Sequence, residues 1–158
     1  MDFKECENRE RYYLVNYIIP LLDIKNEKIS DTGSYERYDM IGQIKNTFCV
    51  FEIKCRINVQ EHYEIMGLAM ELEKYKSLKE LYPDHKIIYI NVLEDNRIYI
   101  FRVDDILSEI PSEDGGGLNM YLTRINCPVS ECDPSRGRKM KPVILLPTKN
   151  KYTKKYII

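Results

Sequence analysis

The 158-residue sequence predicts an α/β protein of the α+β kind. A mixed central β-sheet is flanked by helices, in the order α-β-β-α-β-β with a C-terminal β extension. Three observations predict it. Apolar residues at helical spacing over about residues 4–22 and 59–82 mark two amphipathic helices. Between them, Tyr35–Ile44 and Thr47–Arg56 read as two strands joined by the two-residue loop Lys45-Asn46. After the second helix, Lys86–Leu93 is rich in β-branched residues, and Arg97–Val103 alternates as its return across Glu94-Asp95-Asn96.

The first helix carries Leu14, Ile18 and Leu21 at helical spacing, and Pro20 is placed to kink or end it. Counting back four and seven residues from Leu14 reaches Glu10 and Glu7, which puts acids on the buried side near the helix start. A functional role explains them, and so does the helix dipole. Residues 23–34 read as a polar loop containing Asn26, Ser30, Asp31, Gly33 and Ser34. In the strand that follows the loop at Lys45-Asn46, Phe48, Val50, Glu52 and Lys54 share one face and Cys49, Phe51, Ile53 and Cys55 the other. Apolar character on both faces marks a central strand with layers above and below it. Asn58 and Glu61 suit the cap of the long helix, Ile65, Leu68, Ala69, Leu72, Tyr75, Leu78 and Leu81 its apolar face, and Pro83-Asp84 its end. Residues 104–109 suit a short helix, Gly115–Gly117 a connector, and Leu118–Ile125 and Val143–Leu146 two further strands.

At this length a single domain is expected, with its core over about residues 4–105 and a basic extension over about 115–158. Hydrophobic residues at 44% and charged residues at 31% point to a soluble, globular chain. No apolar run approaches the roughly 18 residues of a membrane span, so no membrane partner is expected. The charged N-terminus lacks the apolar segment of a signal peptide. Five scattered cysteines (Cys6, Cys49, Cys55, Cys127, Cys132) give no disulfide framework, which favours a reducing, cytoplasmic location. Cys127 and Cys132 lack the further ligands of a structural zinc site and read as free thiols. His62 and His85 read as exposed helix-end residues. The abundance of Lys, Ile, Tyr and Asn hints at an AT-rich genome, bacterial or phage. From Arg124 onward nine basic and two acidic residues give +7, whereas the preceding chain, with 15 basic and 23 acidic residues, carries −8. Such an extension attracts a polyanion or merely solubilises the chain.

The hairpin carries the chemistry. A loop at Lys45-Asn46, with Asn46 supplying the positive φ such turns need, sets Ile44 opposite Thr47 and so Asp39 opposite Glu52. Opposed residues share a face with Cβ atoms about 4.5–5.5 Å apart, and two carboxylates so placed repel. A divalent cation would relieve that repulsion, and Mg²⁺ favours oxygen ligands of this kind. Lys54 would stand beside it, within reach of an attacking water or a phosphate. The plainer alternative is an exposed hairpin with a cross-strand Lys–Glu pair, but burial of the strand end argues for a paired or metal-bound acid.

The pattern Asp39…Glu52-Ile53-Lys54, following a helix and preceding a helix and two strands, resembles the core of the PD-(D/E)xK nuclease superfamily, the restriction-endonuclease-like fold. Holliday junction resolvases and many phage and mobile-element nucleases belong to it. The resemblance spans about two-thirds of the chain. Tyr38 stands where the family name has proline, and Gln60 and Tyr63 lack the spacing of the glutamine–tyrosine pair that some members carry, so that role is not transferred. The resemblance implies catalytic Asp39, Glu52 and Lys54. It also implies Mg²⁺ or Mn²⁺ held by Asp39 and Glu52, with Glu10 and the Ile53 carbonyl completing the set. DNA, with branched forms among the candidates, would lie along Arg136, Arg138, Lys139 and Lys141, and a homodimer would suit paired cuts. The short length favours structure-specific or nonspecific cutting over site-specific restriction. Two alternatives stay open: a catalytically inactive nuclease-fold module acting in nucleic-acid binding or assembly, and a small protein-interaction domain with exposed hairpin acids.

Overall fold

The computed structural model describes residues 3–56, 66–109, 116–130 and 133–158. It is a mixed α/β structure built on a six-stranded sheet. The strands are β1 (Lys25–Ile29), β2 (Met40–Ile44), β3 (Thr47–Arg56), β4 (Leu68–Glu71), β5 (Lys86–Leu93), β6 (Arg97–Arg102), β7 (Leu122–Pro128), β8 (Arg138–Leu146) and β9 (Thr153–Ile157). The large sheet has the order β1-β2-β3-β5-β6-β9, and β4-β8-β7 form a second, three-stranded sheet. β3 and β5 pair in parallel, and the other neighbours in the large sheet are antiparallel.

The β2–β3 hairpin has the register that a two-residue loop predicts, Ile44 opposite Thr47 and Met40 opposite Phe51. The positive φ falls on Lys45 (54°) rather than on Asn46. β3, like β5 and β6, has a core on each face. On one side Val50 joins Leu68, Met70, Leu78, Phe101, Ile144 and Leu146. On the other, Cys49, Phe51 and Ile53 join Leu14, Ile18, Ile90 and Ile100. Each such apolar side chain removed from water contributes about 1.5–3 kcal/mol, which is what holds a strand bearing Glu52 and Lys54 in the middle of the molecule.

The first helix runs as α1 (Phe3–Tyr13), a π-helical segment (Leu14–Ile18) and α2 (Ile19–Leu22), ending at Asp23 in the left-handed region. Pro20 has no N–H to continue the α ladder. The preceding residue, Ile19, donates five residues back to the Leu14 carbonyl, so the helix continues through a π turn and not a break.

The long helix expected over residues 59–82 is corrected. Its first part lies outside the described residues, residues 68–71 are strand β4, and the helix α3 is Leu72–Leu81. Gly67 takes φ +98°, and a Cβ there would meet the Leu146 carbonyl oxygen at 2.5 Å. The chain must therefore turn and press against β8 at this point. Leu68 and Met70 are buried by strand alternation, a pattern that overlaps the helical one over so short a stretch. Leu81, expected on the apolar face, is exposed.

Two short helices follow, α4 (Val103–Ser108) and α5 (Gly116–Tyr121), so the strand expected from Leu118 begins at Leu122. β1 and β9 are charged edge strands without an apolar alternation to reveal them, and both stretches read as loop or tail. Cys6 is disulfide-bonded, which the scattered cysteines do not suggest; Cys127 is free as expected, as are Cys49 and Cys55, and Cys132 lies outside the described residues. No helix among the described residues is long and apolar enough to cross a membrane.

Candidate functional site

β2 begins at Met40, so beyond Phe51 β3 has β5 on one side and, among the described residues, no strand on the other. The N-terminal helix comes against β3 there. Asp39 sits at this corner. Its N–H donates to the Phe51 carbonyl (3.1 Å), its carbonyl accepts from Ser30 N–H (2.9 Å), and its Oδ2 accepts the Ile53 N–H at 2.8 Å. The carboxylate thus takes the place of a strand partner. Oδ1 receives Arg11 Nη1 at 3.3 Å, and Arg11 also donates to the Ser30 hydroxyl and carbonyl at 2.7 and 3.0 Å. Asp39 therefore does not simply oppose Glu52 across the ladder; it is turned onto the backbone of Ile53. The shown contact of Ile53 is this N–H, and its side chain is fully buried.

Glu52 is the most deeply buried acid of the group, with a side chain 2% exposed. Lys54 Nζ lies 3.1 Å from its Oε1 and 3.5 Å from Glu10 Oε1. Lys74, from α3, places Nζ 3.0 Å from Glu52 Oε2 and donates to the Arg37 carbonyl at 2.8 Å. The Lys74 contact is an ion pair whose angle leaves Oε2 without a well-formed hydrogen bond. Three acids (Glu10, Asp39, Glu52) and three cations (Arg11, Lys54, Lys74) thus meet at one corner of the sheet.

Burial raises the Glu10 pKa to about 7, with Lys54 opposing and the charges of Asp39 and Glu52 adding to the rise. Burial likewise raises Glu52. For Lys54, burial favours the neutral amine, but Glu52, Glu10 and Asp39 together outweigh it and hold the ammonium charged well above the usual lysine range. A partly protonated Glu10 near neutrality marks an acid whose burial outweighs the cations beside it.

The donor set suits a hard divalent ion: three carboxylates, one of them with an oxygen that no hydrogen bond satisfies. The acids do not converge as they stand. Among the described residues no three His, Cys, Asp or Glu side chains are grouped to hold a metal: Lys54 stands between Glu10 and Glu52, and Asp39 is turned onto the Ile53 N–H and Arg11.

The four basic residues expected to bind nucleic acid belong to β8 of the second sheet and the turn before it. Arg136, Arg138 and Lys139 are exposed at the β7–β8 end, with Arg138 donating to the Asn126 carbonyl at 2.7 Å. Lys141 is pinned to Glu71 at 2.6 Å. Glu7, the lesser candidate on the first helix, instead accepts the Gly33 N–H at 2.8 Å. Asn58, Gln60, Glu61, His62 and Tyr63 lie outside the described residues. A cavity of about 490 Å³ between Met66, Met120, Leu122 and Leu145 includes none of the cluster.

Arg11 and Lys74 were absent from the sequence-based candidates. The signal was present: Arg11 lies three residues before Leu14, and Lys74 four before Leu78, so each is an ionisable residue on a buried stripe. That is the rule that singles out Glu10. Beside the cluster on the same face, Arg56 is held by Asn91 Oδ1 (2.8 Å), Tyr89 Oη (2.9 Å) and the Ala69 carbonyl (2.7 Å).

No protein-family model matches this chain, and no curated protein matches it.

Proposed function

We propose that the chain is a metal-dependent DNA nuclease with a PD-(D/E)xK, restriction-endonuclease-like core. One observation carries the reading: a buried glutamate at the end of the central strand, held between two lysines, with Glu10 and Asp39 alongside. Glu52, Glu10 and Asp39 would hold Mg²⁺ or Mn²⁺. Bound there, such an ion lowers the pKa of its water and neutralises charge on the phosphate. Lys54 stays protonated at neutral pH, so it orients the attacking water and meets the charge that builds on the phosphate oxygens, and does not serve as the base. Glu10, whose pKa burial raises to about 7, must lose its proton to hold the ion, so ion binding strengthens as pH rises through that value. Arg136, Arg138 and Lys139 contact phosphates, which makes binding weaken steeply with salt.

Cleavage assays on junction, flap, duplex and single-stranded DNA test this. Wild type cuts at least one of them in magnesium, and Lys54→Met cuts none. Equal cutting by both proteins overturns the reading.

A specific observation also favours a second reading. The six charges balance without any added ion, and both Asp39 oxygens are already engaged. An inactive nuclease-fold module, acting in nucleic-acid binding or assembly, would keep such a network for structure alone. It would bind DNA without cutting and show no response to Mn²⁺.

A further inference from the structure

We infer that Lys74 is a built-in counter-cation that competes with a divalent metal ion for Glu52. This rests on the proposed cation site and adds to it a gate supplied by α3.

Glu52 is served from two directions by two different elements. Lys54 lies two residues further along the same strand, so strand geometry alone brings it beside Glu52. Lys74 has no such compulsion. It reaches down from α3, one-third exposed, to the oxygen that Lys54 does not take. The same Nζ holds the Arg37 carbonyl, two residues before Asp39. One flexible side chain therefore ties the helix, the buried acid and the approach to the Asp39 corner together.

The contact is an exchangeable one. Oε2 is fully buried yet lacks a well-formed hydrogen bond, so the ammonium supplies charge there without using the lone pair well. A hard cation bound by oxygen uses that lone pair directly. The two lysines are similarly exposed, but Lys54 is held by two carboxylates, Glu52 and Glu10, and Lys74 by one carboxylate and the Arg37 carbonyl, so Lys74 is the one that yields once a cation takes its place. Its departure releases the Arg37 carbonyl and frees an ammonium beside the site. Replacing one positive charge at Glu52 by two, with Lys74 still nearby, turns a neutral cluster into a cationic one. A polyanion then binds better after the metal than before it.

The test is calorimetric titration of the full chain with Mn²⁺ at pH 8, using wild type, Lys74→Met and Lys74→Arg. Lys74→Met is expected to bind Mn²⁺ ten-fold or more tightly than wild type, and Lys74→Arg no more tightly than wild type. Should Lys74→Met fail to fold, Lys74→Gln keeps a donor for the Arg37 carbonyl without the charge and carries the same comparison. Mn²⁺ binding by wild type that Lys74→Met leaves unchanged or weakens overturns the inference while leaving the cation site standing. Absence of binding by wild type and by both neutral variants overturns the inference and the cation site together. Binding by the neutral variants alone supports the gate and contradicts the proposal that the wild-type corner holds the ion.

Discussion

Two networks of acids and lysines flank α3, and they are built on opposite rules. At the first turn of α4, Asp104 accepts from Tyr75 Oη (3.0 Å), Lys79 (3.4 Å) and the Ile87 N–H (2.8 Å), and Asp105 meets Lys86 and Arg102 at 3.3 and 2.6 Å. The two acids there are met by three cations, a phenol and a backbone N–H, and the helix start favours negative charge. At the β2–β3 corner three acids are crowded together, Glu10 and Glu52 are pushed toward their neutral forms by burial, and one oxygen of Glu52 stays unsatisfied. A network that only joins α3 to the sheet needs the first arrangement. The second is costly to keep and is the kind found where chemistry is done.

The largest expected effect is on activity. Lys54→Met should lower magnesium-dependent cleavage of a labelled oligonucleotide by at least about 100-fold, the scale of a lost catalytic group. Lys79→Met, its counterpart in the Asp104 network, should leave the rate within about two-fold. Comparable losses in the two variants would erase the distinction between the networks.

The pH dependence of stability comes next. Glu10 binds its proton more tightly folded, with a pKa of about 7, than unfolded, where the ordinary value is 4.5. Between those values the folded state holds more protons, so its stability falls as pH rises through that window. Glu10→Gln removes the fall. Relative to wild type it should gain roughly 3 kcal/mol between pH 4 and pH 8, read from urea denaturation at each pH. A difference between the two proteins that stays flat over this range would show that Glu10 is not under the strain described.

Smaller effects separate the two lysines of α3. Lys74→Met leaves buried Glu52 short of a cation and should cost about 2 kcal/mol at pH 8. Lys79→Met leaves Asp104 with Tyr75 and the Ile87 N–H and should cost about 0.5 kcal/mol. Denaturant midpoints at matched pH decide the order.

Much of the large sheet was legible because burial on alternating faces writes a strong pattern. β3 and β5 have the predicted bounds, and the loop length alone set the hairpin register. The edge strands β1 and β9 were not legible, since an edge defended by charge has no apolar period to read. β4 was hidden because Leu68, Met70 and Leu72 fit the end of a strand and the start of a helix at once, and only Gly67 betrays the turn. At the site, spacing brought Glu52, Lys54 and Glu10 forward, and they do meet. What spacing could not carry was direction. Asp39 turned to cap a strand that had outrun its partner, and Lys74 arrived from a helix far along the chain.

The central claim is that the β2–β3 corner binds a divalent cation through Glu52. Thermal melting at pH 8 with and without millimolar Mn²⁺ tests it most directly, comparing wild type with Glu52→Gln. A ligand at about 100 times its Kd adds about 2.7 kcal/mol to the folded state, so the wild-type Tm should rise by roughly 5 °C or more and that of Glu52→Gln should not move. A wild-type Tm indifferent to Mn²⁺, or an equal rise in both proteins, would contradict it.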